Sequence, residues 1–464
     1  MIADWGEYLL GDLGEIKTGK TPPAKIVDAY SGEVPFITPR DMHGRKWIDS
    51  TERYLSDSGL GSVKNSIVPA RSVAVSCIGS DMGKTVMVAK TSVTNQQINT
   101  IIVDETKYNA EFVYYNLSAR QEELKGIASG SATPILNKGH FSNVKIFLPS
   151  KNDQDSIVDI LRSIDDKIEL NRQINIILEE MAQAIFKSWF LDFDPVKAKI
   201  EAKANEYDPE RSAMCIISGK TNVELDQLPP DQLVQLRAIA ALFPDELTDS
   251  ELGLIPKRWF IQPLGRICSF LAGSAFAKKF QGQKSGDFPF IKVRDMNTQG
   301  NERFILSADN YITESQRSIM KAKIHPQGAT VFAKIGVALM SNRRRILTRS
   351  TLIDNNMMSA VPKDTTIPFH FLYLLLLTID FKTIASGTAV PYINMSDLNK
   401  ISIPFPEKNY LEEIMRSFNK IITPIFEAIK NNDSQIYVLA ELRDTLLPKL
   451  LSGEIEIGSA TTPS

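Results

Sequence analysis

Cysteine and histidine are scarce in this chain of 464 residues, with three of the first and four of the second. Cys77, Cys215 and Cys268 form no disulfide framework and no Cys-x-x-Cys pair, which suits a reducing compartment and offers no zinc site. No apolar run approaches the roughly 18 residues of a membrane span; the longest, from Phe369 to Leu377, falls well short. The first residues, with Asp4, Trp5 and Glu7, lack the basic and apolar regions of a signal peptide. A cytoplasmic location is therefore expected, with no membrane partner. Catalytic signatures are missing as well. There is no G-x-G-x-x-G loop after a strand, no G-x-S-x-G elbow, no His-Glu-x-x-His and no Asn/Asp-Pro-Pro-Phe/Tyr of amino-methyltransferases.

What the chain has is a repeat. Pro35-Phe36-Ile37-Thr38-Pro39-Arg40-Asp41-Met42 returns 254 residues later as Pro289-Phe290-Ile291-Lys292-Val293-Arg294-Asp295-Met296. Cys77-Ile78-Gly79 is answered by Lys334-Ile335-Gly336, and Ile127-Ala128-Ser129-Gly130 by Ile384-Ala385-Ser386-Gly387. Lys145-Ile146-Phe147-Leu148-Pro149 is answered by Lys400-Ile401-Ser402-Ile403-Pro404, and offsets stay between 254 and 258. A period this long means two related domains, since solenoid repeats run roughly 20–50 residues. Short β-branched runs such as Ser72–Ile78 and Ile98–Val103 predict strands, and Ala110–Leu117 predicts a helix, so each module is expected to be α+β.

The expected order is a first module over residues 1–150, a helix over 151–196, an acidic linker with short helices over 197–255, a second module over 256–405, and a last helix with its tail over 406–464. Ile157, Leu161, Ile164 and Ile168 recur at spacings of 4, 3 and 4, meet Asn171 and Asn175, and resume at Leu178, Met181 and Ile185. Asp153 or Asp155 is the expected cap and Asp194-Pro195 the expected stop. In the last helix Leu411, Ile414, Phe418, Ile421 and Ile425 give the same pattern, followed by Asn432 and then Ile436, Leu439 and Leu446. Pro424 is expected to kink or break that helix. Two such stripes predict two helices packed antiparallel, with asparagine fixing their register.

Charge is unevenly spread. Residues 256–405 hold 20 Lys and Arg against 9 Asp and Glu, a net of +11, while residues 151–255 hold 11 against 21, a net of −10. Residues 1–150 are neutral, at 16 against 16. A basic module is a plausible footprint for a polyanion. Ser80, Lys84 and Thr85 follow the first Ile-Gly, and Asn342, Arg343, Arg344, Arg345 and Arg349 follow the second. Lys17 and Lys20 match Lys278 and Lys279 in another loop, and Arg40 recurs as Arg294. Arginine bridges guanine O6 and N7 and lysine neutralises phosphate, so these are the expected DNA contacts. Arg344 is expected to carry about 1–3 kcal/mol of one recognition event. Ser129–Thr133 and Ser386–Val390 offer hydroxyls and backbone N–H groups to phosphate, or form plain turns.

Two motifs point elsewhere. Gly14-Glu15-Ile16-Lys17-Thr18-Gly19-Lys20-Thr21 satisfies the P-loop pattern, with Ile101–Glu105 as a candidate magnesium strand. Pro22-Pro23 follow at once, where a phosphate loop needs a helix, and the repeat copy from Leu264 to Ala275 lacks Gly-Lys-Thr. A P-loop ATPase is thus an alternative reading, and a non-catalytic protein–protein scaffold is another. Asp41 and Asp295 could pair on a magnesium ion, or act as internal salt bridges or backbone caps.

Several stretches resemble the specificity subunit of type I restriction–modification systems. Thr18-Gly19-Lys20-Thr21-Pro22-Pro23 looks like the opening of a target recognition domain. Phe186-Lys187-Ser188-Trp189-Phe190-Leu191-Asp192-Phe193-Asp194-Pro195-Val196 resembles the end of a spacer helix. Asp249–Pro256 with Trp259 looks like the approach to a second domain, and Leu446–Ile455 resembles the family's last segment. The resemblance implies two pseudo-repeated globular target recognition domains separated by long spacer helices that pair antiparallel. Each domain would read half of a split double-stranded DNA site, and the helices would set the unread gap. Two modification (methyltransferase) subunits would bring S-adenosylmethionine, and restriction (translocase/nuclease) subunits would bring ATP and Mg. This chain would hold no cofactor or metal and catalyse nothing. The neutral first module departs from a DNA-binding charge pattern, and implies polar base reading or phosphate contacts from partners.

Overall fold

The computed structural model describes residues 5–42, 44–127, 135–387 and 389–455. The chain divides into two units. One comprises residues up to 167 together with those from 439 onward, and the other comprises residues 168–438. Each long helix therefore contributes a segment to both.

In the first unit Val73–Ser76 is buried at every position, as expected of a central strand. Ile98–Val103 and Thr85–Val88 flank it antiparallel. Gly14–Thr18 joins outside Ile98–Val103, and Trp47–Ile48 joins Thr85–Val88 in parallel, completing five strands. A second sheet orders Tyr54–Leu55, Val34–Ile37, Ser92–Thr94 and Ile67–Val68. The helix Ala110–Ser118 starts at Asn109, whose side-chain oxygen accepts from the N–H groups of Glu111 and Phe112.

The second unit repeats the order of the five-stranded sheet. Cys268–Ala272, Met357–Pro362, Thr330–Ala333, Arg344–Leu347 and Phe304–Ile305 make its five-stranded sheet, again with a parallel last pair. Its second sheet has three strands, Tyr311–Ile312, Phe288–Ile291 and Leu352–Ile353. A single bridge, His325 to Thr351, stands where the first unit has a fourth strand. Each module is α+β. The recurring aspartates prove to be backbone caps. Asp41 accepts from Thr38 N at 2.8 Å and Glu52 N at 2.9 Å, and Asp295 from Lys292 N at 2.7 Å and Asp309 N at 2.8 Å.

Residues 197–255 are less a linker than a small packed body. The helices Asp194–Ala204, Pro209–Ser218 and Pro230–Ala241 each carry proline in the first turn, where its missing N–H costs nothing. Asn222–Asp226 completes the set, and Ala213, Met214, Leu225 and Ala240 close a core beneath them.

The central helix runs Lys151–Phe190 and the last helix Lys408–Leu451. Three expectations need correction. The cap is Ser150, whose hydroxyl accepts from Asp153 N and donates to the Asp153 carboxylate, not Asp153 or Asp155. The central helix stops at Phe190, and Pro195 opens the next helix rather than ending this one. Pro424 does not break the last helix. It lies on the exposed face, so the Lys420 carbonyl it deprives of a donor faces water.

Packing follows the apolar stripes with a slip on each helix. In the first unit Ile157 and Leu161 share a core with Leu450, and Leu446 and Leu447 pack against it. Ile164 and Ile168 are also buried. In the second unit Leu178 and Ile185 are partly buried but Met181 is 48% exposed, and the buried line passes through Ala182, Phe186 and Trp189. The alternation of 4 and 3 continues from Asn175 through Leu178, Ala182, Ile185 and Trp189, so Ala182 rather than Met181 lies on the seam. On the last helix Ile414 and Phe418 are buried, whereas Leu411, Ile421 and Ile425 are only partly so; Ile422, Phe426 and Ile429 carry the seam onward. Phe190 meets Phe418 at 5.0 Å between centroids.

A polar layer crosses this seam in the second unit. Asn175 Nδ2 donates to Asp433 Oδ1 at 2.7 Å, Asn175 Oδ1 accepts from Asn432 at 2.9 Å, and Asn171 donates to Gln435 at 3.1 Å. These pairs run in opposite chain directions, so the helices are antiparallel. Asp433 is 2% exposed, and its Oδ2 has no hydrogen-bond partner. Burial, supported by Glu302 and Glu179 and opposed by Arg303 and Asn175, pushes its carboxyl up to about 7. A folded pKa above the unfolded value, about 4, means that protons favour the fold. This contribution is full below about pH 4 and is lost as pH rises through about 7. Asp433→Asn keeps the bond to Asn175 without the titration. The variant should gain about 1–3 kcal/mol over the parent at pH 8 and much less at pH 4.5, read from urea midpoints. An equal difference at both pH values would show that the carboxyl is ionised throughout.

Candidate nucleic-acid interface

The first unit presents a polar cleft of about 670 Å³, lined among others by Thr38, Arg40, Arg53, Ser80, Asn95 and Gln97. Its floor is a turn at the end of the strand Ser92–Thr94. Asn95 N donates to Ile37 O at 2.9 Å, which docks the turn on the neighbouring strand. From the other side Gly19 N donates to Ile98 O at 3.0 Å, and Lys20 N to Thr94 O at 2.9 Å. A Cβ on Gly19 would lie 2.0 Å from Asn95 O, so only glycine allows this clasp. Asn95 Oδ1 then accepts from Gln97 N at 3.0 Å, an Asx turn, and Asn95 Nδ2 donates to Gln97 Oε1 at 3.1 Å. Gly79, at φ +82°, turns the chain along the wall.

The second unit builds the same frame. Asp354 N donates to Ile291 O at 2.9 Å, Gly273 N to Met357 O at 3.2 Å and Ser274 N to Ile353 O at 2.8 Å. A Cβ on Gly273 would again lie 2.0 Å from a carbonyl, that of Asp354. Asp354 Oδ1 accepts from Asn356 N at 2.9 Å, and Gly336 has φ +74°. The triplets Asn95-Gln96-Gln97 and Asp354-Asn355-Asn356 thus occupy one position in two copies of a scaffold. Sequence reasoning overlooked both. The signal was an Asn/Asp followed by two amides just after a short strand, at an offset of 259.

The expected contact residues scatter by environment. Lys20, Arg40, Ser80, Lys278, Lys279, Arg294, Arg343 and Arg349 are exposed. Arg40 and Ser80 line the cleft, Lys279 lies over the Phe280 ring, Arg343 donates to Asn297, and Arg349 lies over Tyr311. Arg294 sits 3.7 Å from Asp309. Others are tied down: Lys17 donates to Ile67 O at 3.0 Å, Lys84 pairs with Asp81 at 2.8 Å, and the Thr85 hydroxyl donates to Gly83 O. Asn342, at φ +55°, accepts from Phe381 N. Arg345 donates to the Arg344 and Met296 carbonyls.

Arg344 does not reach outward, contrary to expectation. It is 1% exposed, donates to the carbonyls of Asn342 and Ile379, and stacks 3.7 Å from the Phe381 ring centre. Burial pushes its guanidinium down to about 10. The residues 129–133 and Thr388 of the two Ser-Gly segments lie outside the described residues. The P-loop match forms the strand Gly14–Thr18 and then the glycine clasp, with no helix after it. Among the described residues no group of three or more His, Cys, Asp or Glu could hold a metal, and no helix is long and apolar enough to cross a membrane.

In each unit charged groups fasten the module to its long helix. Glu111 accepts from Lys46 at 2.6 Å and Arg162 at 2.9 Å, while the Tyr115 hydroxyl donates to Asp165 at 2.6 Å. Burial would raise the Glu111 carboxyl, but hydrogen bonds from Arg162 and Lys46 bring it down to about 2. In the second unit Arg303 and the Tyr373 hydroxyl donate to Glu179, at 2.6 and 3.2 Å.

The type I restriction modification DNA specificity domain matches this chain twice, over residues 2–180 and 256–436. The HindI specificity subunit of Haemophilus influenzae is 33% identical, with 98% of this chain and 100% of that protein aligned. The MjaIX specificity subunit of Methanocaldococcus jannaschii is 28% identical, with 98% and 94% aligned. The fold is similar to a crystal structure of a type I restriction–modification S subunit from M. genitalium. That likeness has a TM-score of 0.53 at 15% identity, over 96% of each chain.

Two substitutions separate scaffold from surface. Gly19→Ala should cost about 1–3 kcal/mol by forcing the clasp apart, seen as a lower urea midpoint. Arg344→Ala should likewise cost about 1–3 kcal/mol of stability while leaving base preference unchanged in a binding selection, because the side chain braces the core. A changed preference with unchanged stability would return Arg344 to the reading surface.

Proposed function

The chain belongs to the type I restriction–modification DNA specificity family, and from that premise we propose that it is the non-catalytic, sequence-reading subunit of such a complex. The observation that carries this reading is the doubled frame: one clasped turn, built twice on one backbone plan, with different side chains displayed. Two copies of a reader with different fingertips suit a target in two halves. The modules near residues 1–150 and 256–405 read one half-site each, and the paired helices set the unread gap. The exposed cations Arg40, Lys20, Lys278, Lys279, Arg343 and Arg349 supply phosphate or base-edge contacts.

Two modification subunits and the restriction subunits assemble on this chain in double-stranded DNA's presence, and S-adenosylmethionine, ATP and Mg belong to them. Leu170, Ile174, Ile177 and Met181, all exposed at helical spacings of 4, 3 and 4 on the central helix, support a docking face for a modification subunit. Work takes place in the cytoplasm, where the host chromosome is the substrate.

The test is methylation-sensitive sequencing of host genomes with this gene present and deleted. Adenine methylation at one bipartite motif should vanish on deletion. Four residues inserted near Asn171, about 6 Å of helix, should change the gap but not the bases. An unchanged methylome, with the modification subunit expressed, would favour a scaffold instead.

A further inference from the structure

We infer that the triplets Asn95-Gln96-Gln97 and Asp354-Asn355-Asn356 are the base-selecting elements of the two modules, and that Gln97, oriented by Asn95, in the first and Asp354 in the second set different base classes. This rests on the proposed reading and goes further, by assigning the discriminating atoms. Three constraints hold each triplet in place. The neighbouring strand takes its first N–H, the glycine segment bonds to the carbonyls just before and just after it at an approach that only glycine allows, and the side-chain oxygen of residue one caps residue three. A turn so rigid loses little entropy on binding.

What remains free differs between the copies. In the first module the Asn95 amide is spent on Gln97 Oε1 and N, and Gln97 Nε2 has no partner among the described residues. It faces a cleft already lined by Arg40 and Ser80. A glutamine amide suits adenine, which offers the N7 acceptor and the N6 amino group side by side in the major groove. In the second module Asp354 Oδ1 caps Asn356, and Oδ2 has no partner among the described residues. A carboxylate oxygen only accepts. It therefore selects a base edge that offers an amino hydrogen, cytosine N4 or adenine N6, and disfavours guanine O6/N7 and thymine O4. It also repels phosphate, so within a module of net charge +11 it is placed for a base rather than for the backbone.

The paired substitutions Asp354→Asn and Asn95→Asp are nearly isosteric, and both residue types cap an Asx turn, so the frame survives either exchange. Methylation sequencing is done in a host carrying the intact system with the parent chain or either variant. Asp354→Asn should admit guanine or thymine at one position of one half-site, raising their use about tenfold. Asn95→Asp should alter one position of the other half-site. Gap length and every other position should stay the same. If a variant loses methylation altogether, its purified complex is scored by selection from DNA randomised across both half-sites. Unaltered base profiles for both variants, by either readout, would overturn the assignment. A parent chain that yields no bipartite motif would instead defeat the proposed function.

Discussion

Burial of two helix faces against each other is the constraint on which the rest of the structure depends. The central and last helices each carry a long apolar stripe that no single module could cover, and an isolated amphipathic helix gains little from propensity alone. Pairing them converts two liabilities into a core. In the second unit the aromatic run Phe186, Trp189 and Phe190 is buried with Ile414, Phe418 and Phe426, so the most specific wording in the chain encodes the densest packing. In the first unit the same seam continues more modestly through Leu161 and Leu450.

Polar groups inserted into this apolar frame contribute definition more than strength. A fully apolar seam tolerates slippage by a turn; Asn175 bonded to Asp433 and Asn432 does not. The Lys46–Glu111–Arg162 cluster and the Arg303–Glu179–Tyr373 cluster act alike at the module bases. Buried ion pairs barely offset their own desolvation, yet an orphaned member is costly, so each module has one favoured docking angle on its helix. A reader of base edges needs that angular definition, because hydrogen bonds weaken steeply when misaligned.

The repeat, the strands and the two long helices were legible because they depend on local chemistry: periodicity and turn residues. The interface was less so. Arg344 sits beside Arg343 and Arg345 in a run that suggests a charged loop, but it begins the strand Arg344–Leu347, and alternation places it on the same inward face as Ile346. The triplets were hidden because Asn95 and Asp354 differ in letter and their match shows chiefly in shared backbone bonds and a shared side-chain cap. Gly19 was visible for the wrong reason: its neighbours imitate a phosphate loop, while its actual role is to let two backbones touch. Met181 was misplaced because it follows Leu178 by a second step of three, where the alternation of 4 and 3 leads to the small residue Ala182.

The division of the helices between the units has a consequence for biosynthesis. The first unit is completed by residues from 439 onward, among them Leu450 in its core and Arg443, bonded to Asp165. Those residues leave the ribosome only after the entire second unit. A nascent chain that has finished its first module must therefore wait through some 270 further residues, of order half a minute at ordinary translation rates, with one face of Ile157 and Leu161 uncovered. During that interval the first module is an incomplete body with a sticky helix, and the last few turns of the chain act as the closing clip of a domain begun at the other end.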